Sequence, residues 1–102
     1  MQICWRSFYY CKKLSFIDIP IDSKLQTIEE DAFCYSAINS FIVPPSVKKL
    51  CENAFNFCNN LQIIEINDNS QLSNINTNTF AGCTRALIMV SPNLKDNINI
   101  YF

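Results

Sequence analysis

Residues 42–66 read IVPPSVKKLCENAFNFCNNLQIIEI and hold the pattern that decides the fold. An aliphatic residue, Leu50, lies five residues before Phe55, and a small side chain, Cys58, lies three residues after it. The same phrase occurs around Phe8, Phe33, Phe55 and Phe80, at intervals of 25, 22 and 25 residues. A period in the twenties indicates supersecondary units that each pack on the next, and such arrays usually present binding surfaces.

The segment after each phenylalanine is predicted to be a strand that turns alternate side chains into the core. In the third unit the inward residues are Leu61, Ile64 and Ile66. The inward sets predicted for the other units are Leu14, Ile17 and Ile19 in the first, Ile38, Phe41 and Val43 in the second, and Ala86, Met89 and Ser91 in the fourth. The four phenylalanines are predicted to fill the layer between strand and turn as one aromatic column.

The pattern resembles the BspA-like leucine-rich repeats, most closely over residues 42–66 and in four units from about Ile3 to Pro92. The cysteine-containing, asparagine-rich composition is similar to that of protozoan surface-antigen families. The resemblance implies a leucine-rich-repeat solenoid, mainly β, with short parallel strands and helical half-turns. The chain departs from the family where a glycine usually follows the leading aliphatic residue; the residues at that position are Cys4, Glu29, Cys51 and Asn76.

The chain is interpreted as one leucine-rich-repeat solenoid domain over residues 1–102. Its units are placed at about 3–24, 25–47, 48–71 and 72–92, followed by an irregular tail over 93–102. Neither end carries an evident polar cap, which predicts either further repeats or self-association through the ends. We find no signal peptide at the N-terminus and no segment apolar enough to span a bilayer.

The composition argues against an enzyme. With no histidine, Ser-His and Cys-His nucleophile systems are excluded, and a single glycine, Gly82, allows no glycine-rich phosphate loop. The acidic run from Glu29 to Asp31 is interpreted as negative charge at the start of a half-turn. The chain has 8 basic and 9 acidic residues, and the basic residues form no long block. This charge distribution argues against nucleic-acid binding. We therefore predict no catalytic residues, cofactor or metal.

The cysteines follow the repeat. Cys11, Cys58 and Cys83 share the position three residues after the phenylalanine, and Cys4 and Cys51 share the position four residues before it. Shared positions favour buried structural thiols, because a small thiol suits a tight buried turn. Two alternatives remain. One is a disulfide, best placed between Cys58 and Cys83 because neighbouring strands lie about 4.8 Å apart. The other is metal binding, although the spacing of zinc ligands is absent.

The outward residues of the strands are the candidates for partner binding. They are predicted to align in two columns, Phe16, Ser40, Ile63 and Ile88 in one and Asp18, Ile42, Glu65 and Val90 in the other. A row of exposed apolar residues on one sheet face is a candidate contact patch, and acidic residues beside it can orient a basic or polar partner. The alternative is simple β propensity. The predicted partner-binding residues are Phe16, Asp18, Ile42, Ile63 and Glu65.

The sequence and the resemblance together predict a protein-interaction or adhesion module that binds through the outward face of its strand ladder. The resemblance implies a surface antigen, at the cell surface or secreted, with a host or extracellular-matrix protein as partner. Nucleic acid and membrane insertion are not expected. Two alternatives stay open: an intracellular scaffold repeat protein, and a fragment of a longer repeat array with no activity of its own.

Overall fold

The computed structural model describes residues 1–94 and 99–101, which form mainly short strands and turns. One 3-10 helix spans Thr77–Phe80. No helix in these two ranges is long and apolar enough to cross a membrane. The strands, in chain order, are β1 (Gln2–Ile3), β2 (Thr27–Ile28), β3 (Ser40–Ile42), β4 (Lys49–Leu50), β5 (Ile63–Ile66), β6 (Asn74–Asn76), β7 (Leu87–Val90) and β8 (Asn99–Tyr101).

The strands that begin the repeats pair in parallel. β1, β2 and β4 form one ladder in that order, with Ile3 opposite Ile28 and Ile28 opposite Leu50. These three residues are the leading aliphatics of successive repeats, and all three pack in or against the core. β6 pairs with β8 in the same parallel sense, which sets Ile75 opposite Ile100.

The last of these pairings differs from the sequence-based division. Residues 93–102 are predicted to be an irregular tail, but the structure forms β8 within them. Ile100 lies 25 residues after Ile75, the interval that also separates Ile3 from Ile28. The leading-aliphatic position therefore recurs once more at the C-terminal end. The remaining tail residues, 95–98 and 102, lie outside the described part of the chain.

The strands that follow the phenylalanines form a second parallel ladder, β3, β5 and β7. Phe41 lies opposite Ile64, and both are buried. The inward residues predicted for the second and third units are confirmed, since all of them are buried: Ile38, Phe41, Val43, Leu61, Ile64 and Ile66. In the first unit Leu14, Ile17 and Ile19 also pack against the core, although their segment forms no strand.

The prediction for the fourth unit is wrong by one residue. Ile88 lies opposite the buried Ile64 and Val90 opposite Ile66, so these two side chains face the core. Met89, predicted inward, is 53% exposed. The prediction used the spacing of the third unit, but the fourth unit has one residue fewer between Ala86 and the strand. A slip of one residue exchanges the two faces of a strand, and this register packs the two half-buried branched side chains against the core.

The four repeated phenylalanines form a column of stacked rings. Centroids lie 5.0 Å apart from Phe8 to Phe33, 5.0 Å from Phe33 to Phe55 and 5.5 Å from Phe55 to Phe80. Phe33 and Phe55 are fully buried. Because the ring separation nearly equals the distance between neighbouring strands, the side chains and the backbone can keep the same repeat distance.

Backbone hydrogen bonds tie the same turns together. The backbone N–H of Phe8, Phe33 and Phe55 each donates to the carbonyl of the residue just before the repeated phenylalanine of the next repeat, at 2.7, 2.7 and 2.9 Å. Tyr35 and Phe57, two residues further along, donate in the same way at 2.9 and 2.8 Å. Each turn is therefore completed by its neighbour, which supplies acceptors that an isolated repeat would lack.

These turns place ordinary residues in the left-handed region. Positive φ occurs two residues before the phenylalanine and two residues after it, at Arg6, Asp31, Asn53, Tyr10, Tyr35 and Phe57, with φ between 54° and 61°. None of Cys4, Glu29 and Cys51, where the family usually has glycine, is among them. A non-glycine residue in this region costs about 1–2 kcal/mol, so the hydrogen bonds to the next repeat must offset that cost.

We expect Phe55→Ala to lower the free energy of unfolding by about 3–5 kcal/mol, because it removes a buried ring from the middle of the column. Phe16→Ala is the matched control, since Phe16 is 60% exposed and its loss should change stability by less than about 0.5 kcal/mol. Urea unfolding followed by far-UV circular dichroism measures both. Equal midpoints for the two variants would contradict the central role of the column.

The register of the fourth unit is testable with a pair of neighbouring variants. Ile88→Asn should lower the unfolding free energy by about 1–3 kcal/mol, because it places an amide against the core. Met89→Asn should have little effect, since Met89 is 53% exposed. If Met89→Asn proves the more destabilising in the same urea titration, the register predicted from the third unit is the correct one.

Candidate functional site

The predicted site residues lie on the outward side of β3 and β5 and in the segment that precedes them. Ile42 is paired with Glu65 across the two strands, and Ile63 is paired with Ser40. Ile42 is 57% exposed, whereas Ile63 and Glu65 are half-buried. We call the outward side of β3, β5 and β7 the outer ladder face.

The outer ladder face is completed by Met89, which the sequence analysis predicts to point inward, and by Leu87, for which it predicts no position. The pairing extends from Ile63 to Leu87 and from Glu65 to Met89. Leu87 is 67% exposed and Met89 is 53% exposed, so these two residues take the places predicted for Ile88 and Val90. The face thus presents exposed apolar side chains in register beside a carboxylate.

Phe16 and Asp18 lie in a segment that separates from β3. The backbone bonds between the first repeat and the second include Ala37 N–H to Cys11 C=O at 3.1 Å and Asn39 N–H to Ser15 C=O at 3.0 Å. Beyond Asn39, β3 pairs with β5 and forms no described ladder with residues 16–21. A cleft opens where the pairing with the first repeat ends.

This strand-end cleft has a volume of about 850 Å³. Its walls are residues 16–21 on one side and residues 42–45 on the other, with Ser40, 67–69 and Ser91 completing it. Of the predicted site residues, Phe16, Asp18 and Ile42 line the cleft, whereas Ile63 and Glu65 lie outside it. The structure therefore brings three of the five predicted residues together in one concave site.

The strand-end cleft combines apolar walls with two carboxylates. Asp68, which the sequence analysis missed, accepts hydrogen bonds from the Ser91 hydroxyl and, at 3.3 Å, from Nδ2 of Asn93. Asp18 is exposed at the same cleft, and no lysine or arginine lines it. Asp68 lies in a polar corner between repeats, and its position becomes visible only when the folded repeats bring it to residues 16–21.

A second concavity of about 410 Å³ lies at the opposite ends of the strands. It is lined by Lys12, Lys13 and Arg85 together with asparagine and glutamine side chains. Ser15 and Asn39, which line it, precede Phe16 and Ser40 of the strand-end cleft in the chain. The outer ladder face therefore has a basic hollow where its strands begin and acidic groups where they end.

An aromatic surface column was also missed. Tyr10, Tyr35 and Phe57 stack with centroids 4.6 and 5.0 Å apart, and Lys12 Nζ lies 5.0 Å from the Tyr10 ring. All three share the position two residues after the repeated phenylalanine, a signal that alignment of the repeats could have revealed. In the fourth repeat this position is Gly82, where a Cβ would lie 2.5 Å from the Phe57 ring. Because the rings cover one another, we interpret this column as structural.

The acidic run has structural partners. Oε1 of Glu29 accepts a hydrogen bond from the backbone N–H of Trp5 at 2.9 Å. Asp31 forms an ion pair with Arg6, at 3.7 Å between Oδ2 and Nε. Both contacts link the first repeat to the second. They favour the interpretation of the run as part of the repeat architecture.

All six cysteines are free in the structure. The Cys58 thiol donates to Phe33 C=O at 3.0 Å and the Cys83 thiol to Phe55 C=O at 2.9 Å, so both add further bonds between repeats. No three cysteine or acidic side chains cluster as a metal site within residues 1–94 and 99–101. Shared position and shared partners favour the structural interpretation of these thiols.

The environments of the thiols differ. Burial, with a smaller effect from Asp31, raises the pKa of Cys34 to about 11. Interaction with the neighbouring Cys83 thiol, followed by burial, raises the pKa of Cys58. The same interaction lowers the pKa of Cys83, whereas burial raises the pKa of Cys51. Cys51 and Cys83 are both half-buried. Since the thiolate is the reactive form, the lower pKa makes Cys83 the more reactive of these two.

We therefore expect iodoacetamide at pH 8 to label Cys83 of the native protein faster than Cys51. Cys34 and Cys58, both buried, should react only after unfolding. Peptide mass spectrometry at successive times measures the order, and Cys4, which is exposed, serves as the internal reference. Labelling of Cys51 at the rate of Cys83 would contradict the difference in pKa. A cross-linked Cys58–Cys83 peptide pair would establish the disulfide alternative instead.

Comparison with known protein families gives a match over nearly the whole chain. The model of the BspA type leucine rich repeat region matches residues 1–101, in six copies. Neither the curated proteins nor the solved structures gave a significant match. Repeats of this family are generally non-enzymatic and suggest protein partners. The mainly β structure with short parallel strands fits a repeat fold of this kind. The chain belongs to the BspA-type leucine-rich repeat family.

Proposed function

We propose that this chain is a protein-interaction module that binds its partner through the outer ladder face and the strand-end cleft. The observation that carries the proposal is the set of apolar side chains on this one face: Ile63 lies opposite Leu87, and Ile42 and Met89 lie on either side of Glu65. A group of exposed apolar residues on one sheet face is a candidate contact patch. The partner-binding residues are Phe16, Asp18, Ile42, Ile63 and Glu65, and no reaction or cofactor is assigned to them.

The repeat architecture that we propose is a solenoid of about four stacked units, with bounds near 3–24, 25–47, 48–71 and 72–92. Parallel pairing between equivalent strands and the continuous column of phenylalanine rings support it. The family model matches six copies over residues 1–101, which is more than the four units proposed. The division into units has to account for this difference. In such an array the outer ladder face is continuous from one unit to the next.

An adhesive role at the cell surface, with a host or matrix protein as partner, is the more specific form of this proposal and rests on the resemblance alone. An intracellular scaffold is the second candidate, and six free thiols favour it because disulfides persist mainly in oxidising compartments. Both candidates use the same outer ladder face. They differ in the compartment, so localisation of the tagged protein in its own cells distinguishes them.

The test of the proposed function selects ligands with the wild-type protein from a phage-displayed library and measures their binding to variants. Ligands should bind the Phe16→Ser, Ile63→Ser double variant at least about tenfold more weakly, because one apolar contact of the strand-end cleft and one of the outer ladder face are lost. Trp5→Ser is the control, since Trp5 is 59% exposed, much as Phe16 is at 60%, but lies in the turn before Phe8. Matched thermal melts establish that the variants are folded.

The proposal fails if most selected ligands bind the double variant as tightly as the wild type. It also fails if Trp5→Ser causes the larger loss, because the binding surface would then be at the turns. Selection is carried out with excess reductant, so that binding through exposed Cys4 does not contribute.

A further inference from the structure

We propose that the strand-end cleft binds an extended segment of a partner protein in which a lysine or arginine lies between apolar residues. This inference rests on the proposed function and names the partner's chemistry at the strand-end cleft. Three properties of the cleft support it: its charge, its apolar walls and the strand edge that it leaves open.

The charge of the cleft is negative and has no basic counterpart among the residues that line it. Asp68 is held by a hydroxyl and an amide, which orient the carboxylate without neutralising it. Asp18 is exposed. Within the described residues neither Asp18 nor Asp68 forms an ion pair, and the ion pair that is observed joins Arg6 to Asp31. Two carboxylates in a concave site, with no ion pair to a basic side chain of the described residues, favour a cationic group.

The walls of the cleft accept apolar side chains on either side of that cation. Phe16 is 60% exposed, Ile42 57% and Ile21 79%, and all three line the cleft. Pro44 and Pro45 contribute rigid apolar surface at its end. Burial of such side chains by a ligand gains roughly 25 cal/mol for each Å² removed from water, which offsets the cost of ordering an extended peptide.

The backbone of β3 offers a free edge to the same cleft. Val43 N–H donates to Glu65 C=O on the β5 side, at 2.9 Å. Because successive peptide groups of a strand point to opposite sides, the N–H and C=O of Ile42 point toward the cleft. An unpaired strand edge is the surface to which extended peptides add by β-augmentation. A strand seated there has side chains that alternate, with basic residues near Asp18 and Asp68.

Blocked synthetic peptides test this directly, with binding to the full chain measured by fluorescence anisotropy. The first peptide alternates valine with lysine, the second replaces each lysine by glutamate, and the third is the lysine peptide with alternate backbone amides methylated. We expect the first to bind and the other two to bind at least about tenfold more weakly, since each lacks either the cation or the strand hydrogen bonds.

Charge variants of the protein locate the binding. Asp18→Asn and Asp68→Asn should each weaken binding of the lysine peptide by about tenfold, with a shallower dependence on salt. Glu52→Gln is the matched control, because it removes one negative charge from an exposed residue outside the cleft. Lys13→Gln, in the basic hollow, should leave binding equal or slightly stronger.

Two outcomes overturn the inference. One is equal binding of the lysine and glutamate peptides, and the other is an equal loss with Glu52→Gln and Asp18→Asn, which would indicate non-specific attraction. Binding of the methylated peptide as tight as that of the parent overturns the role of the β3 edge. The proposed function fails separately, through ligands that are insensitive to the Phe16→Ser, Ile63→Ser change, so the two failures are distinguishable.

Discussion

The packing of one phenylalanine ring on the next is the interaction on which the rest of this structure depends. The separation from Phe33 to Phe55 is 5.0 Å with the rings 4° from parallel, close to the distance at which backbone strands pair. The backbone N–H groups of Phe8, Phe33 and Phe55 are bonded to the neighbouring repeat as well. Aromatic contact and hydrogen bonding therefore impose one common spacing, and the parallel ladders on either side inherit it.

That spacing is achieved with backbone conformations that most residues avoid. Tyr35 and Phe57 both have positive φ, and each directs its N–H to the next repeat. Their rings lie 5.0 Å apart, so the residues that carry the strain also stack with each other outside the core. In the fourth repeat Gly82 relieves the strain and leaves room for the Phe57 ring. The backbone thus has positive φ at this position in all four repeats. In three of them contacts with the next repeat offset the cost, and in the fourth a glycine avoids it.

The repeat pattern predicts most of the core, because the spacing from each phenylalanine fixes which side chains point inward. It fails at Met89 and Ser91, since one residue is missing before β7 and the sequence does not show where. The packing of Ile88 and Val90 against the core decides the register instead. Phe16, Asp18 and Ile42 can be chosen as outward residues from alternation alone. Asp68 cannot, because its place in the cleft depends on how three repeats align.

The cleft itself arises from a departure from the repeat. If residues 16–21 followed the ladder as β5 and β7 do, they would pair with β3 and no cleft would separate them. Pairing ends near Asn39, where Ser15 still accepts its N–H, and the edge of β3 is then exposed. In the regular parts of the chain, the backbone groups of neighbouring repeats are hydrogen-bonded to each other. A partner can form backbone hydrogen bonds where two repeats do not, and at the edge of β3 such groups lie beside Asp18 and Asp68.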